Sequence, residues 1–332
     1  MKRLVAYLAT CLFQALLAAS PVAASDYTVM IVTWRGCEQA CTGFQNHLKY
    51  RDYSIEYLAR DANYDTSSIP AFLDEARKRK VDLIVSWGTS VTRTIAGRLT
   101  TMDDPAYNQD IPQVFMIVAD PVGAGIIESL EKTSRPNLTG TYNRMPEIVT
   151  LDTIRAFKPD FSHLGLLVNP SESNSVLKRD ELQQMATAQG LTLTSVEIAN
   201  EAGEPTANAI PAAMRELAEA GVDFVYLGSS SFLKDNGKII ATAAADLKLP
   251  VLSPYEEMVR NEEALISVAA RYEDVGVLAA ELAEKILIDG MTPGDIPVAR
   301  MTRFAVTINM NVAKALAVFP PIDLLQIAEI VE

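Results

Sequence analysis

The 332-residue sequence predicts an α/β chain of two similar doubly wound parallel-sheet lobes joined by a hinge, and three observations carry that expectation. Short β-branched runs alternate with longer amphipathic segments from residue 28 onward. The length exceeds what one ordinary hydrophobic core organises, and a block of the first half recurs in the second. Strands joined by helices form parallel sheets covered on both faces.

Residues 28–33 read as a buried strand, and Cys41, Phe44 and Leu48 mark the apolar stripe of the helix that follows. A second strand is expected at 53–58. Ser67 and Ser68 are then the caps of a helix with Pro70 in its first turn and Ile69, Phe72, Leu73 and Ala76 inward. Strands at 81–87 and 113–119 flank a helix at 91–99, and a short helix is expected at 125–130. Asn137, Gly140, Asn143 and Pro146 break the rhythm at 136–146, which reads as a crossing between lobes. A second series opens there, with helices at 147–157, 174–189, 210–220 and 233–247. Its strands are expected at 164–168, 192–198, 224–227, 251–252 and 264–269. Further crossings are expected near 269–273 and 299–305. The lobes are then 25–143 plus 270–302, and 144–269 plus 303–332.

The recurrent block is Val81 to Ser90, VDLIVSWGTS, matched by Val222 to Ser231, VDFVYLGSSS. After one more helix each half supplies an Ile-Pro or Leu-Pro, an apolar strand and a turn: Ile111-Pro112 to Asp120-Pro121, and Leu249-Pro250 to Ser253-Pro254. Two such units make a clam shell, and ligands of such sheets lie beyond the carboxyl ends of the strands.

The first residues bear on location. Lys2 and Arg3 precede an apolar run from Leu4 to Ala19, and small residues at Val22-Ala23-Ala24 precede the first acid, Asp26. That order predicts a secretory signal peptide over 1–24, cleaved after Ala24 with Ser25 as the alternative, so the mature chain is expected to be exported. Leu8-Ala9-Thr10-Cys11 resembles a lipobox loosely, but it comes too early and carries Thr10 where a smaller residue belongs. Losing Lys2 and Arg3 moves the net charge from −13 to −15, a surface that repels phosphate backbones and excludes nucleic acid as a partner. Cys37 and Cys41, in a chain bound for an oxidising compartment, favour a local disulfide; two small apolar side chains on one helical face are the alternative. His47 and His163 stand at no zinc-finger spacing, and no metal or cofactor is expected.

The strand ends offer hydroxyls, backbone amides and aromatics: Trp34, Trp87, Gly88, Thr89, Ser90, Asp120, Pro121, Ser171, Ser173, Gly228, Ser229, Ser230 and Tyr255. Helix N-termini there present free N–H groups and partial positive charge, which suits a carboxylate. Thr89, Ser171 and Ser230 also stand where helix caps stand, Asp120 serves equally as a turn residue, and Trp87 can close the first lobe's core. Arg271 is either a carboxylate partner or a solvated hinge charge. Enzyme signatures are missing: there is no G-x-S-x-G elbow, no Walker A loop and no H-E-x-x-H. Gly123-Ala124-Gly125 lacks the third glycine of a dinucleotide turn, and the sequon at Asn137-Leu138-Thr139 falls in an expected buried crossing.

Val81 to Ser90, Ile111 to Leu130 (IPQVFMIVADPVGAGIIESL), Asn137 to Gly140 (NLTG) and Tyr272 to Gly290 (YEDVGVLAAELAEKILIDG) together resemble the substrate-binding components of ABC importers of the tryptophan/tyrosine type, which have the type I periplasmic binding protein fold. The resemblance covers nearly the whole mature chain. It implies a monomer that hands a small zwitterion, an amino acid of aromatic character, to a membrane permease and catalyses nothing. It further implies that the ligand carboxylate meets Gly88, Thr89 and Ser90, with Asp120 or another acid near the amino group. The segment from Trp34 to Cys41, with its cysteine pair, departs from the plainer first loop of that family. An extracytoplasmic sensor feeding a membrane signalling partner is the alternative use of the same clam shell.

Overall fold

The computed structural model describes residues 25–200 and 202–332, so the signal segment expected over 1–24 lies outside the described residues. The first strands are β1 (Tyr27–Thr33), β2 (Ile55–Asp61), β3 (Leu83–Trp87), β4 (Gln113–Met116) and β5 (Leu138–Tyr142). Five more follow: β6 (His163–Val168), β7 (Thr192–Glu197), β8 (Phe224–Tyr226), β9 (Val251–Ser253) and β10 (Ile266–Ala269). The last three are β11 (Ala299–Arg300), β12 (Ala305–Asn309) and β13 (Glu329–Val331). They make two sheets, in the orders β2-β1-β3-β4-β5-β11 and β7-β6-β8-β9-β10-β12-β13. The leading five strands of each thus take the same doubly wound order, with a topological switch point between β1 and β3 and between β6 and β8. Among the described residues every pairing of these strands is parallel except β10 with β12.

The recurrent sequence block acquires a physical meaning here. Asp82 accepts from the Thr28 amide at 2.7 Å, and its own amide reaches the Thr28 carbonyl at 2.9 Å. Asp223 does the same in the second unit, accepting from the His163 amide at 2.9 Å while its amide reaches the His163 carbonyl at 2.8 Å. In each unit one aspartate sets the register of the central strand pair. Gly88 and Gly228 then end the two strands at φ +90° and +62°, a left-handed turn that a side chain would strain.

The long helices are α1 (Gln39–Tyr50), α2 (Ile69–Arg79), α3 (Thr89–Ala96), α4 (Glu147–Phe157), α5 (Ser173–Gln189) and α6 (Ile210–Glu219). They are followed by α7 (Ser231–Asp235), α8 (Gly237–Leu247), α9 (Glu256–Arg260), α10 (Tyr272–Leu287), α11 (Met310–Leu316) and α12 (Ile322–Ile327). Helices α1 and α10 bury Phe44, Leu48, Val275, Ala279 and Ala283 against Ile31, Val85 and Val114 of the first sheet. They meet backbone to backbone: a Cβ on Gly276 would overlap the Ala40 carbonyl, and one on Gly43 the Glu273 carbonyl. The chain passes between sheets at 143–146, 270–271 and 301–304, the stretches that join β5 to α4, β10 to α10 and β11 to β12.

Several expectations change. The second strand runs over Ile55–Asp61, not 53–58, because all seven of its residues pair with β1, and its polar end at Arg60 and Asp61 concealed that extent. Ser67 and Ser68 lie in a 3-10 turn; Ser68 stands at the N-cap of α2 but makes no side-chain cap bond, and Asp65 is the residue whose carboxylate accepts from the Ser67 amide, at 2.8 Å. No helix forms at 125–130. Buried Arg135 instead donates to the carbonyls of Ile126 at 2.8 Å, Ala96 at 2.6 Å and Gly97 at 3.0 Å, holding the segment in turns. The crossing at 136–146 contains β5, which pairs with β4 across a contact where a Cβ on Gly140 would strike Phe115. The Asn137 amide nitrogen is committed to the carbonyls of Asn108 and Ile111, both at 3.2 Å, so the sequon is a packing element. The helix expected over 233–247 is broken at Asn236 into α7 and α8.

Candidate functional site

Beyond the carboxyl ends of both sheets lies a cleft of about 1000 Å³, including its open mouth. It takes Trp34 and Arg35 from the end of β1, and Trp87, Gly88, Thr89 and Ser90 from the end of β3 and the start of α3. The second sheet contributes Glu172, Asn174, Tyr226, Ser229 and Tyr255, and the crossings contribute Asn143, Arg144 and Tyr272. Both switch points therefore open into one space, as doubly wound sheets require of a ligand site.

Its walls are aromatic. Trp87 stands edge to face with Tyr272 at 6.4 Å, and Tyr272 with Tyr255 at 6.3 Å. Burial pushes the hydroxyls of Tyr226, Tyr255 and Tyr272 above their ordinary range, so all three remain neutral donors. Trp34 packs against Tyr64 at 5.8 Å near the rim.

Polar groups are few and incompletely matched. The Arg35 side chain is only 3 % exposed; its Nε and Nη2 donate to Glu38 at 3.0 and 3.3 Å, and its plane lies 5.0 Å from the Trp87 ring centre. Nη1 is buried with no partner, as are Trp87 Nε1 and Asn143 Oδ1. Leaving a buried polar atom unmatched costs about 1–3 kcal/mol, more for a charged group, and all three of these atoms belong to residues that line the cleft. Burial works to lower the Arg35 pKa, but Glu38 outweighs it and holds the guanidinium charged. On the other side, Glu172 accepts from the amides of Ser231 at 3.0 Å and Phe232 at 3.1 Å. Burial still pushes its carboxyl above the usual range, against those bonds, the Ser230 hydroxyl and the Arg35 charge. At the floor, Lys178 pairs with Glu147, and Arg144 joins that pair from the crossing at 3.5 Å from Glu147 and 3.7 Å from Asp120.

Of the residues singled out from sequence, Trp34, Trp87, Gly88, Thr89, Ser90, Ser229 and Tyr255 line the cleft. The others stand elsewhere. Asp120 forms a turn, its carboxylate accepting from the Gly123 amide at 2.8 Å, and the Pro121 carbonyl accepts from Ile126 at 2.9 Å. Ser171 is exposed beside Asn169, and Ser173 opens α5 outside the cleft lining. Ser230 is fully buried and caps α7 through Leu233 at 3.2 Å, standing behind Glu172 rather than facing a ligand. Gly228 is the strand-end turn. Arg271 is half exposed and engages Glu329 and Glu256 outside the cleft. Sequence reasoning passed over Arg35, Glu172 and Asn143. The strand-end rule points to the first two, since Arg35 lies two residues beyond β1 and Glu172 four beyond β6, although loop charges are usually solvated and so carry a weaker signal than hydroxyls and aromatics. Cys37 and Cys41 are joined by a disulfide at the start of α1.

Two sheets of one topology meeting at an aromatic cavity with unmatched polar groups have the architecture of a ligand-binding clam shell. The chain belongs to the ABC transporter substrate binding protein family, whose profile it matches over residues 28–331. It is 30% identical over 285 residues to a tyrosine-binding protein of Clostridioides difficile, covering 84% of this chain and 76% of that one. Among solved structures it is similar, at TM-score 0.79 and 21% identity over 93% of this chain and all of the other, to an ABC domain from Streptococcus pneumonia in complex with L-Trp. The ligand-free, open structure of a substrate-binding protein with adhesive properties from Clostridium difficile shares the fold at TM-score 0.72 and 24% identity, covering 92% of this chain and 99% of that one. The family is one of binding proteins, not enzymes.

Proposed function

We propose that the chain is the periplasmic substrate-binding component of an ABC importer, exported by a cleaved signal segment, which captures an aromatic amino acid between its lobes and delivers it to a membrane permease. The lobes are 25–143 plus 270–302 and 144–269 plus 303–332, and the protein acts as a monomer without cofactor, metal or nucleic acid. The observation that carries this reading is the unmatched Nη1 of Arg35, stacked on Trp87 in a cavity whose opposite wall holds Glu172. The ligand carboxylate sits between Arg35 and the free amides of Thr89 and Ser90 at the start of α3. Its ammonium faces Glu172 and Asn143 Oδ1, and its ring packs among Trp87, Tyr255 and Tyr272. The likeness to a tyrosine-binding protein supports that choice of side chain.

A thermal-shift panel of amino acids, sugars and nucleobases tests it. L-tyrosine or L-tryptophan at a hundred times its dissociation constant is expected to stabilise by about 2.7 kcal/mol. Arg35→Ala is expected to weaken that ligand by about a hundredfold, the cost of losing a charge-assisted bond in a dry site. Stabilisation by another ligand class, with none by aromatic amino acids, would sink the ligand assignment.

A further inference from the structure

We propose that Glu38 couples capture of the ligand's carboxylate to closure of the cleft, with Lys234 of the opposite lobe as counter-charge and the Cys37–Cys41 disulfide as the clamp that seats Glu38. The inference rests on the reading that the cavity takes a carboxylate at Arg35.

Glu38 precedes α1 in an extended conformation and its carbonyl accepts from the Thr42 amide at 3.1 Å, but its side chain makes no cap bond to that helix, so the carboxylate is free to turn away from it. Both oxygens of that carboxylate accept from Arg35, Oε1 from Nε and Oε2 from Nη2, and Oε1 is the one that Lys234 shares. Lys234, on α7 beyond the second sheet, reaches the same carboxylate at 2.6 Å and also stands 2.9 Å from Glu257. Neither Glu38 nor Lys234 lines the main cleft. Both are largely buried, with side chains 19 % and 13 % exposed, where charge pairs are weakly screened. The surroundings favour an ionised Glu38: burial opposes it, but Arg35 and Lys234 together hold its pKa below the usual range.

A ligand carboxylate on Arg35 Nη1 places a second anion on a guanidinium already shared with Glu38. In an open cleft two anions then face one cation. Closure brings Lys234, a second cation, onto Glu38, even though it shares that charge with Glu257. The ligand thus gains more in the closed form than in the open one, which is the differential contact a population shift requires. Cys37 and Cys41 flank Glu38 and tie the loop after Arg35 to α1, and Cys37 is exposed at the surface.

The test is calorimetric titration with L-tyrosine and L-tryptophan. Lys234→Met is expected to weaken the bound amino acid on the order of tenfold, with Lys234→Arg restoring it. Tyr64→Phe, which removes a second side-chain bond between the lobes close to Lys234, Tyr64 to Asp235 at 2.7 Å, is the comparator and is expected to change affinity less than about threefold. Reduction of the disulfide by a small dithiol is expected to weaken binding severalfold in the wild type and to add little in Lys234→Met. Wild-type protein that binds neither amino acid overturns the ligand reading and the coupling together. Wild-type binding with Lys234→Met equally tight, or with Tyr64→Phe as damaging as Lys234→Met, overturns the coupling alone.

Discussion

Arg35 and Glu172 bring opposite charges into one cavity from opposite sheets, and their environments differ in what they leave undone. Arg35 has spent two of its three nitrogens on Glu38, whereas Glu172 is bonded on both oxygens yet still sits above its usual pKa because burial dominates. Between the ordinary glutamate value near 4.3 and the raised one, the folded protein holds a proton that the unfolded chain has lost. The contribution to apo stability is therefore full below the ordinary range and falls as pH rises through the raised value. A ligand ammonium reverses the preference by favouring the ionised carboxylate. Uptake of a zwitterion in that window should release a proton, and affinity should increase with pH across it. Calorimetry in two buffers of different ionisation enthalpy reads the proton count, and Glu172→Gln should abolish it; heats independent of buffer in the wild type would rule out the ammonium contact. This chemistry was poorly legible in sequence, because Arg35 and Glu172 look like any two loop charges until Trp87 and the start of α7 are placed against them.

At the scale of elements, the sequence was most readable where one physical rule acted alone. The register of α4 follows from helical periodicity, and its bounds are those of the structure. The paired aspartates Asp82 and Asp223 could be recognised as equivalent because both begin the same apolar strand after a helix. Reading failed where a distant residue overrode local propensity. The stretch 125–130 contains enough apolar residues for a helix, but Arg135 takes the Ile126 carbonyl while anchored to those of Ala96 and Gly97, and Asp120 takes the Gly123 amide just before it. The contact of α1 with α10 was equally hidden, since it depends on glycines 233 positions apart meeting backbone to backbone. Gly276→Ala should therefore force the two helices apart at the base of Tyr272 and Glu38. The cost expected of such overpacking is about 1–3 kcal/mol, read as a lowered denaturant midpoint with an unchanged slope. Because both helices end at the cleft, amino-acid affinity should fall as well; a variant of wild-type stability would show that the close approach is not required.

For the whole molecule, duplication and length gave the architecture from sequence, and the resemblance of a few blocks gave the family. The geometry of closure did not follow from either, because it depends on side chains far apart in the chain. Across the cleft mouth the two units touch through Tyr64 with Asp235 and Glu38 with Lys234, while three short strands of chain join them behind. A bond or two of that kind, each worth about 0.5–3 kcal/mol, cannot hold the lobes shut against the entropy of opening for long. The unmatched atoms of Arg35, Trp87 and Asn143 weigh the other way, since opening would let water reach them. The ligand-free protein is thus expected to populate open forms, and a solute touching both walls to close it, as the rule of differential contact demands. Small-angle scattering should show the radius of gyration falling when the aromatic amino acid saturates the site. Arg35→Ala, at ligand concentrations that saturate the wild type, should leave it unchanged. Equal radii with and without ligand in the wild type would mean that the cleft is rigid, and the coupling of capture to transport would have to lie in the permease instead.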